Sequence, residues 1–243
     1  MILGAMQPYF FPYLGYFDLI NRVDRWIVFD TPQYMREGWV NRNRALHACK
    51  EWQYIIVPVK KHSRETPINR IETVDFPDWR RTIVNQFTHY RGRAPYYRET
   101  LALLEDCLAG NEQNLSRLNI HCLGKVCRHL GISWNPEVFS EINLSLGPVR
   151  EAADWALRIA EATGADEYLN PPGGAALYNP ERFARHGIRL HIQEDFNYEY
   201  DCGNYAYVPR LSVLDVLMWV SPAEIKSRLD RSKAASTWAA TIS

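Results

Sequence analysis

The chain has 243 residues, with 47% hydrophobic and 23% charged side chains, a composition that is typical of a folded globular protein and excludes a disordered one. Lys plus Arg and Asp plus Glu each total 28, so no net charge favours nucleic acid or an anionic membrane surface as a partner. No apolar run reaches transmembrane length, no secretory signal is visible, and the five cysteines are widely spaced without a C-x-x-C pair. We therefore expect a protein of the reducing cytoplasm.

The first thirty residues predict a βαβ unit. Met1–Met6 is a short apolar run typical of a buried strand, and Phe17–Val23 has the apolar spacing of a helix. Trp26–Phe29 is continuously apolar, which suits a strand buried on both faces of a parallel sheet. An aromatic loop with two prolines, residues 7–16, joins the first strand to the helix. Open α/β sheets bind ligands beyond the carboxyl ends of their strands, so we expect this loop to border a site.

The segment after this unit predicts a loop and two further strands. Residues 31–46 are polar and aromatic and predict a loop. Trp52–Val59 resembles another central strand, and Pro58 marks its end or an edge position because proline lacks the N–H donor of a ladder. Residues 68–74 predict a strand from the alternation at Ile71 and Thr73.

The middle of the chain predicts a helical insertion over roughly residues 78–131. Its helices are expected at residues 78–90, 96–108 and 114–130, each with an apolar stripe at helical spacing. Cys122 lies on the stripe of the last helix, where a buried structural thiol is expected rather than a reactive one.

Alternating elements continue to the end of the chain. Strands are predicted at residues 134–139, 168–169 and 188–192, and helices at residues 148–163, 180–185, 211–220 and 222–229. A tyrosine-rich loop, residues 196–208, precedes the last two helices, and residues 233–243 are expected to be frayed. Ser212 is predicted to be a structural N-cap, whereas Asp215 is left without an assigned role. We predict a single α/β domain over residues 1–243, with a partly parallel sheet that begins with the βαβ unit.

The stretch M-Q-P-Y-F-F-P-Y-L-G-Y-F from Met6 to Phe17 resembles the opening signature of the WbqC-like protein family. The resemblance runs in order along nearly the whole chain, through Asp30, Gln33, Gly38-Trp39-Val40-Asn41-Arg42-Asn43, Val57-Pro58-Val59, Tyr90, Ala94-Pro95-Tyr96, Tyr168-Leu169, Gly174, Tyr178 and Leu211-Ser212-Val213-Leu214-Asp215. Members occur beside sugar-modifying and other biosynthetic genes of bacteria, O-antigen clusters among them, which implies a role in tailoring small molecules. Many members have Lys-His after the tryptophan of the central helix, but Trp79 is followed here by Arg80-Arg81, so that histidine is not an obligatory catalyst in this protein.

A weaker resemblance concerns the N-terminal βαβ unit alone. A first strand, a proline-containing loop and Tyr13-Leu14-Gly15-Tyr16 at the start of a helix look like the nucleotidylyltransferase fold, which has a His-x-Gly-His signature at this place. In that fold the glycine lets the base lie on the helix N-terminus and the histidines donate to phosphates. Tyrosine replaces both histidines here, and a phenol of pKa near 10 offers no positive charge. Adenylyl transfer is therefore expected to be lost or altered.

Two short polar stretches supply the first candidate site residues. Asp30 follows a probable central strand, at the edge where sites of α/β proteins gather, and is our candidate catalytic base; its alternative role is a turn or cap aspartate. Arg42 offers a planar fork for phosphate or carboxylate, and Asn41 offers both donors and acceptors. Self-capping of the loop is the alternative for Asn41, and Arg44 is expected to be a solvated charge.

The aromatic loop supplies the next candidates. Gln7 and Tyr9 follow the first strand and are expected to face the same crevice as Asp30, with Gln7 as a binding amide. Tyr13 and Tyr16 would either stack on a base or sugar or simply pack in the core. The family resemblance adds further candidates for substrate binding, which are Gln33, Trp39, Asn43 and Tyr178.

The first functional hypothesis is a biosynthetic group transferase, of acyl or aminoacyl groups, acting on a nucleotide-linked sugar or an amine-bearing metabolite. A non-catalytic protein that presents a carrier-bound intermediate to a partner biosynthetic enzyme is the second, and a nucleotidylyltransferase relative is the third. The chain lacks H-E-x-x-H, G-x-S-x-G and P-loop motifs, so no metal and no cofactor are predicted. The expected partner is a small-molecule or carrier-bound substrate, with no nucleic acid and no membrane, and the oligomeric state is left open.

Overall fold

A computed structural model describes residues 1–75 and 78–235 of the chain. Its strands are β1 (Ile2–Met6), β2 (Arg25–Val28), β3 (Arg42–Leu46), β4 (Trp52–Ile56), β5 (Glu137–Val138), β6 (Glu167–Asn170) and β7 (Arg189–Ile192). Its α-helices are α1 (Leu14–Arg22), α2 (Asp78–Asn85), α3 (Tyr97–Leu108), α4 (Leu115–His129), α5 (Asp154–Thr163), α6 (Pro180–Ala184), α7 (Val213–Trp219) and α8 (Pro222–Ala235).

The main sheet has five strands in the order β5-β2-β1-β6-β7, and all neighbouring strands are parallel. The chain starts at the central strand β1, moves outwards through β2 to β5, and then returns to the other side of β1 as β6 and β7. The direction of strand succession therefore reverses between β1 and β6. A crevice opens beyond the carboxyl ends of the strands at such a point. The predicted α/β class and the initial βαβ unit are confirmed.

Both faces of the sheet are covered, because side chains alternate along each strand. Leu3, Ala5 and Ile27 point into a smaller core that α5 and α6 complete. Trp26 and Val28 point into the larger core, which contains α1 and the helices of the insertion. This arrangement explains why the strands are apolar throughout rather than in alternate positions.

The helical insertion is formed by α2, α3 and α4. Trp79, Ile83, Phe87 and Tyr90, the predicted stripe of the first helix, are all buried, although α2 ends at Asn85 and Thr88–Tyr90 is a separate 3-10 turn. Asn114 caps α4 by accepting a hydrogen bond from the Arg117 amide at 3.0 Å. Cys122 is 1% exposed, and burial raises the pKa of its thiol well above the ordinary value, as expected of a core cysteine.

Two predictions for residues 31–59 are wrong. Residues 42–46 are not a loop but strand β3, and β4 is not central to the main sheet; together they form an antiparallel ribbon of their own. Arg42, Asn43 and Arg44 hide the strand pattern, since their polarity resembles a loop. Pairing with β4 and burial of Ala45 and Leu46 nevertheless fix the extended conformation.

The predicted strand at residues 68–74 and the predicted helix start at Pro148 are also wrong. Ile68–Arg70 is a 3-10 turn, which places Ile68 and Ile71 on the same buried side because they are three residues apart. Helix α5 begins only at Asp154, whose carboxylate accepts hydrogen bonds from the Arg150 and Glu151 amides at 2.7 and 3.2 Å and so holds a turn before the helix.

The predictions for the end of the chain are confirmed in part. Ser212 is the N-cap of α7, as predicted, and its Oγ accepts a hydrogen bond from the Leu214 amide at 3.3 Å. Helix α8 extends to Ala235, past its predicted end, and residues 236–243 of the predicted frayed terminus lie outside the described residues. No helix within residues 1–75 and 78–235 is long and apolar enough to cross a membrane. The single-domain assignment stays a prediction.

Candidate functional site

A cavity of about 670 Å³ lies beyond the carboxyl ends of β1, β2 and β6, where the strand order reverses. Met6 and Gln7 border it at the end of β1, Phe29 at the end of β2, and Asn170 at the end of β6. Further parts of the wall come from the aromatic loop, α1, β3, α5, the segment 171–178 after β6, Trp39 and Arg210. This volume is in the range of pockets that hold cofactors and drug-sized metabolites.

The cavity wall is aromatic with few polar groups. Its aromatic side chains are Tyr9, Tyr13, Tyr16, Phe29, Trp39, Trp155 and Tyr178. Its polar side chains other than phenols are the amides of Gln7, Asn43 and Asn170 and the guanidinium groups of Arg44 and Arg210. None of the described lining residues is Asp, Glu, His, Lys, Cys, Ser or Thr. Elsewhere in the described chain, no three His, Cys, Asp or Glu side chains form a cluster that could hold a metal ion.

The backbone of the aromatic loop is held by side chains from distant parts of the chain. The Tyr16 hydroxyl donates a hydrogen bond to the Gln7 carbonyl at 2.8 Å. The Asn119 amide, fully buried on α4, donates to the carbonyls of Pro8 at 2.8 Å and Val40 at 2.6 Å. Asn119 therefore fixes the loop and the segment before β3 at the same time.

The second half of the loop is held in the same manner. The Asn43 amide donates to the Phe10 carbonyl at 3.1 Å, and the Ser212 hydroxyl donates to the Phe11 carbonyl at 2.8 Å. Phe11 has a φ of 39°, which costs a residue with a side chain about 1–3 kcal/mol. These contacts over-determine a strained conformation, as is common where a loop borders a binding site.

The tyrosines of the loop are neutral groups in apolar surroundings. Burial raises the pKa of Tyr9 and Tyr13, and it raises the pKa of Tyr16 well above its usual value. Tyr16 is 2% exposed and its ring packs 5.4 Å from that of Trp26, so this side chain contributes to the core as much as to the cavity. Gly15 lets the Tyr13 ring lie against α1, since a Cβ there would be 2.4 Å from Tyr13 Cε2.

Asn170, Gly174 and Tyr178 form the wall on the side of β6. Asn170 is 3% exposed, and its amide donates to the Pro171 carbonyl at 2.8 Å. A Cβ at Gly174 would lie 2.3 Å from Asn170 Nδ2, so only glycine leaves room for this amide. Tyr178 packs at 5.9 Å from Phe183 in the smaller core, and burial raises the pKa of its hydroxyl.

Of the predicted substrate-binding residues, seven line this cavity: Gln7, Tyr9, Tyr13, Tyr16, Trp39, Asn43 and Tyr178. The other three, Gln33, Asn41 and Arg42, lie outside it, and so does Asp30. Asp30, the predicted base, is 2% exposed and accepts hydrogen bonds from the Ser140 amide at 3.0 Å and the Ser140 hydroxyl at 2.7 Å. Its carboxylate thus joins the end of β2 to the turn after β5, which is a structural position.

Gln33, Asn41 and Arg42 also contact protein groups away from the cavity. Gln33 donates to the Arg64 carbonyl at 2.7 Å, and Asn41 donates to the Val57 carbonyl at 3.0 Å, which closes the ribbon of β3 and β4. The Arg42 guanidinium donates to a backbone carbonyl and stacks 4.2 Å from the centre of the Tyr54 ring.

Sequence reasoning missed five of the aromatic and polar lining residues, which are Phe29, Arg44, Trp155, Asn170 and Arg210. Asn170 ends a predicted strand, so its position at the carboxyl edge was a signal that could have identified it. Arg44 was interpreted as solvated because β3 was not recognised as a strand. Nothing in the local sequence indicates Trp155 or Arg210, since α5 and the tyrosine-rich loop come together with the N-terminal loop only in the folded chain.

Replacement of Gly174 by alanine is expected to weaken ligand binding in the cavity with little change in stability. The new Cβ would displace the Asn170 amide, which borders the cavity. Gly173→Ala is the control for an added methyl group alone, because Gly173 also borders the cavity but no atom lies within 4 Å of a Cβ at that position. Ligand-induced thermal shifts of the two variants test this, and equal shifts would contradict a role of Asn170 in the site.

The comparisons with known proteins agree with the sequence resemblance. The model of the WbqC-like protein family matches residues 7–227. The uncharacterized protein Rv1507c of Mycobacterium tuberculosis (strain ATCC 25618 / H37Rv) is 28% identical over 217 residues, which are 88% of this chain and 92% of that protein. No solved structure gives a significant match. The matched range contains the aromatic loop from Gln7 onwards and the β6 side of the cavity.

Proposed function

The chain belongs to the WbqC-like protein family, and we propose that it is a biosynthetic group transferase whose cavity binds a nucleotide-linked sugar or an amine-bearing metabolite. The observation that supports this best is the position and lining of the cavity. It lies where open α/β sheets bind metabolites, and its wall contains seven aromatic rings, three amides and two guanidinium groups among its aliphatic side chains.

The lining also suggests how such a transfer would proceed. No described lining residue is a serine, cysteine or lysine nucleophile. A covalent intermediate on the wall of this cavity is therefore not part of the proposal. Instead, a neutral amine of the acceptor would attack an activated acyl carbonyl directly and form the new C–N bond. The leaving group would depart with the electrons of the broken bond and take up the proton that the amine nitrogen loses, and the protein would contribute by holding the two reactants together.

The side chains would divide this binding between them. Tyr9, Tyr13 and Trp155 offer ring faces for a base or a sugar, as stacking on aromatic groups does in other nucleotide sites. Gln7 offers an amide for hydroxyl or amide groups, and Asn170 offers its carbonyl oxygen as an acceptor, since its Nδ2 already donates to the Pro171 carbonyl. Asn43 borders the cavity, but its amide already donates to the Phe10 carbonyl, so we assign it a positioning role.

A second candidate function is binding and presentation of an intermediate to a partner enzyme. The same lining supports it, because a protein that only binds needs neither a nucleophile nor a general base. The third candidate, a nucleotidylyltransferase relative, is supported by the order of the parallel strands around β1 and by the position of Tyr13-Leu14-Gly15-Tyr16 at the start of α1. Against it, the Tyr16 hydroxyl is engaged with the Gln7 carbonyl and does not replace a phosphate-binding histidine.

A thermal-shift screen followed by a transfer assay tests the proposal. The ligands are nucleotides, nucleotide-sugars, acyl-CoA thioesters and aminoacyl donors. A ligand at 100 times its Kd adds about 2.7 kcal/mol to the free energy of unfolding, which raises the Tm by a few degrees. We expect a hit, about tenfold weaker binding by Trp155→Ala through lost stacking, and a transfer product by mass spectrometry.

Trp134→Ala is the control, since Trp134 is also half-buried but does not line the cavity. If Trp155→Ala and Trp134→Ala bound the ligand with equal affinity, the ligand would bind outside this cavity. A hit without transfer to any acceptor would favour presentation over catalysis, and a silent screen of the folded protein would overturn the proposal.

A further inference from the structure

We infer that Arg44 is the anion-recognition residue of the cavity, so that the ligand carries a phosphate, diphosphate or carboxylate group. This inference rests on the proposed function, because it concerns the ligand of the same cavity, and it narrows the substrate class. Four features of the described residues support it: the unused donors of Arg44, its apolar surroundings, the absence of acids from the wall, and the contrast with neighbouring arginines.

The first feature is that the donors of Arg44 are poorly used. Its Nη2 group donates to the carbonyls of Pro209 and Arg210 at 3.4 and 3.3 Å, which is long for a hydrogen bond from a guanidinium group. Its Nε is buried without a hydrogen-bond partner. The Nη1 group donates to no group of the described chain, so an anionic ligand would bind this accessible end of the fork rather than the buried Nε.

The second feature is the apolar environment of this charge. The guanidinium carbon lies 5.4 Å from the ring centre of Trp52 and 5.9 Å from that of Trp39, within the range of cation–π contact. The two indoles hold the group in place and reduce its contact with water. An anion that binds there would meet a pre-oriented and partly desolvated fork, which strengthens a charge-assisted hydrogen bond.

The third feature is that no charge in the cavity wall neutralises Arg44. The described lining residues include no Asp or Glu, and no acidic side chain of the described chain forms an ion pair with Arg44. Arg210, the other cation of the wall, is paired with Asp195 and has a side chain that is 57% exposed. The cavity therefore carries a net positive charge that selects an anion.

Arg42 provides the contrast on the same strand. It lies two residues away on β3, where it stacks on Tyr54 and donates to the Glu37 carbonyl. Its Nε is buried without a hydrogen-bond partner, as that of Arg44 is, so the contrast lies in position: Arg44 lines the cavity and Arg42 does not. The sequence analysis predicted that Arg42 binds phosphate or carboxylate and that Arg44 is a solvated charge. The geometry points to the reverse assignment, and the two arginines can be compared directly in one experiment.

Calorimetric titration of the wild type and of Arg44→Gln, Arg44→Lys and Arg42→Gln tests the inference. The phosphate probes are uridine diphosphate and inorganic diphosphate, with uridine as the neutral counterpart. The carboxylate probe is N-acetylglycine, with N-acetylglycinamide as its neutral counterpart. We expect at least one anion to bind the wild type at least about tenfold more tightly than its counterpart, and the class of that anion identifies the group.

Arg44→Gln is expected to weaken binding of that anion roughly ten- to a hundredfold, because a charged hydrogen-bonding partner is lost. Arg44→Lys should fall in between, since lysine keeps the charge but not the planar fork, and it serves as the main test if Arg44→Gln does not fold. Arg42→Gln should bind the anion as the wild type does.

Equal binding by Arg44→Gln and the wild type, a loss in Arg42→Gln instead, or no anion binding at all would overturn the inference. Failure of the inference and failure of the proposed function give different results. If Arg44→Gln kept its transfer activity at the same substrate affinity, the transferase proposal would stand and the anion-binding role of Arg44 would be wrong. If an anion bound through Arg44 but no donor gave transfer, the anion-binding role would stand and the transferase proposal would be wrong.

Discussion

The Asp215→Ala variant is expected to lose about 3–5 kcal/mol of the free energy of unfolding, because the change leaves buried donors without an acceptor. Asp215 lies on α7 and is 1% exposed. Its carboxylate accepts hydrogen bonds from the Tyr90 and Tyr200 hydroxyls. It thus connects α7, the helical insertion and the tyrosine-rich loop, and urea denaturation measures the loss.

The same carboxyl group should make stability depend on pH. Burial raises the pKa of Asp215 above its ordinary value, although the hydroxyls of Tyr200 and Tyr90 oppose the rise. The folded state therefore holds this proton to a higher pH than the unfolded chain does. The protonated carboxyl group makes its full contribution to the free energy of unfolding below the unfolded pKa of about 3.9, and this contribution is lost as the pH rises through the folded pKa. The wild type should lose stability relative to Asp215→Asn over that interval.

A control separates this network from the surface charge around it. Glu199 is exposed on the same tyrosine-rich loop, and Glu199→Ala is expected to change the free energy of unfolding by no more than about 0.5 kcal/mol. Tyr200→Phe removes one of the donors and should cost less than Asp215→Ala. If Asp215→Ala were as stable as Glu199→Ala, the carboxylate would not hold these elements together.

Local sequence patterns identified most elements of the main sheet and of the insertion. A few consecutive residues or helical turns were enough to predict three of them: the apolar run of β1, the continuous apolar run of β2 and the helix whose apolar stripe includes Cys122. Strand β3 could not be predicted in this way, because Arg42, Asn43 and Arg44 become a strand only through pairing with β4. The alternation at Ile71 and Thr73 suggested a strand at residues 68–74, but a strand would place Ile68 and Ile71 on opposite faces, whereas the 3-10 turn buries both on one side.

The candidate site shows the same limit more clearly. The motif led to the right loop, but it did not separate residues that face the cavity from residues that hold the loop. Ser212 contacts the Phe11 carbonyl across 201 positions of sequence, and Asn119 contacts Pro8 across 111. Side-chain orientation at such distances depends on how α4 and α7 pack, which no local pattern encodes. Asp30 was proposed as a base, with a turn or cap aspartate as the alternative, and its partner Ser140 could not be foreseen because it comes from beyond the insertion.

Asn119→Leu is expected to lose about 2–5 kcal/mol of the free energy of unfolding and the ligand response together. Leucine fills a similar volume but leaves the carbonyls of Pro8 and Val40 buried without a donor. Those carbonyls hold the aromatic loop against the segment before β3, so both sides of the cavity that carry Tyr9 and Trp39 should become mobile. Denaturation curves give the first effect, and the thermal shift with a ligand found in the screen gives the second.

Ser116→Ala is the matched control for this prediction. Ser116 is a buried polar residue of the same helix, 2% exposed, but its hydroxyl has no hydrogen-bond partner in the described chain. Its removal should therefore be close to neutral for stability and should leave the ligand response unchanged. If Asn119→Leu were destabilised yet bound the ligand as tightly as Ser116→Ala, the loop would keep its shape without Asn119. The strained Phe11 backbone would then be held by Ser212 and Asn43, which accordingly become the next positions to change.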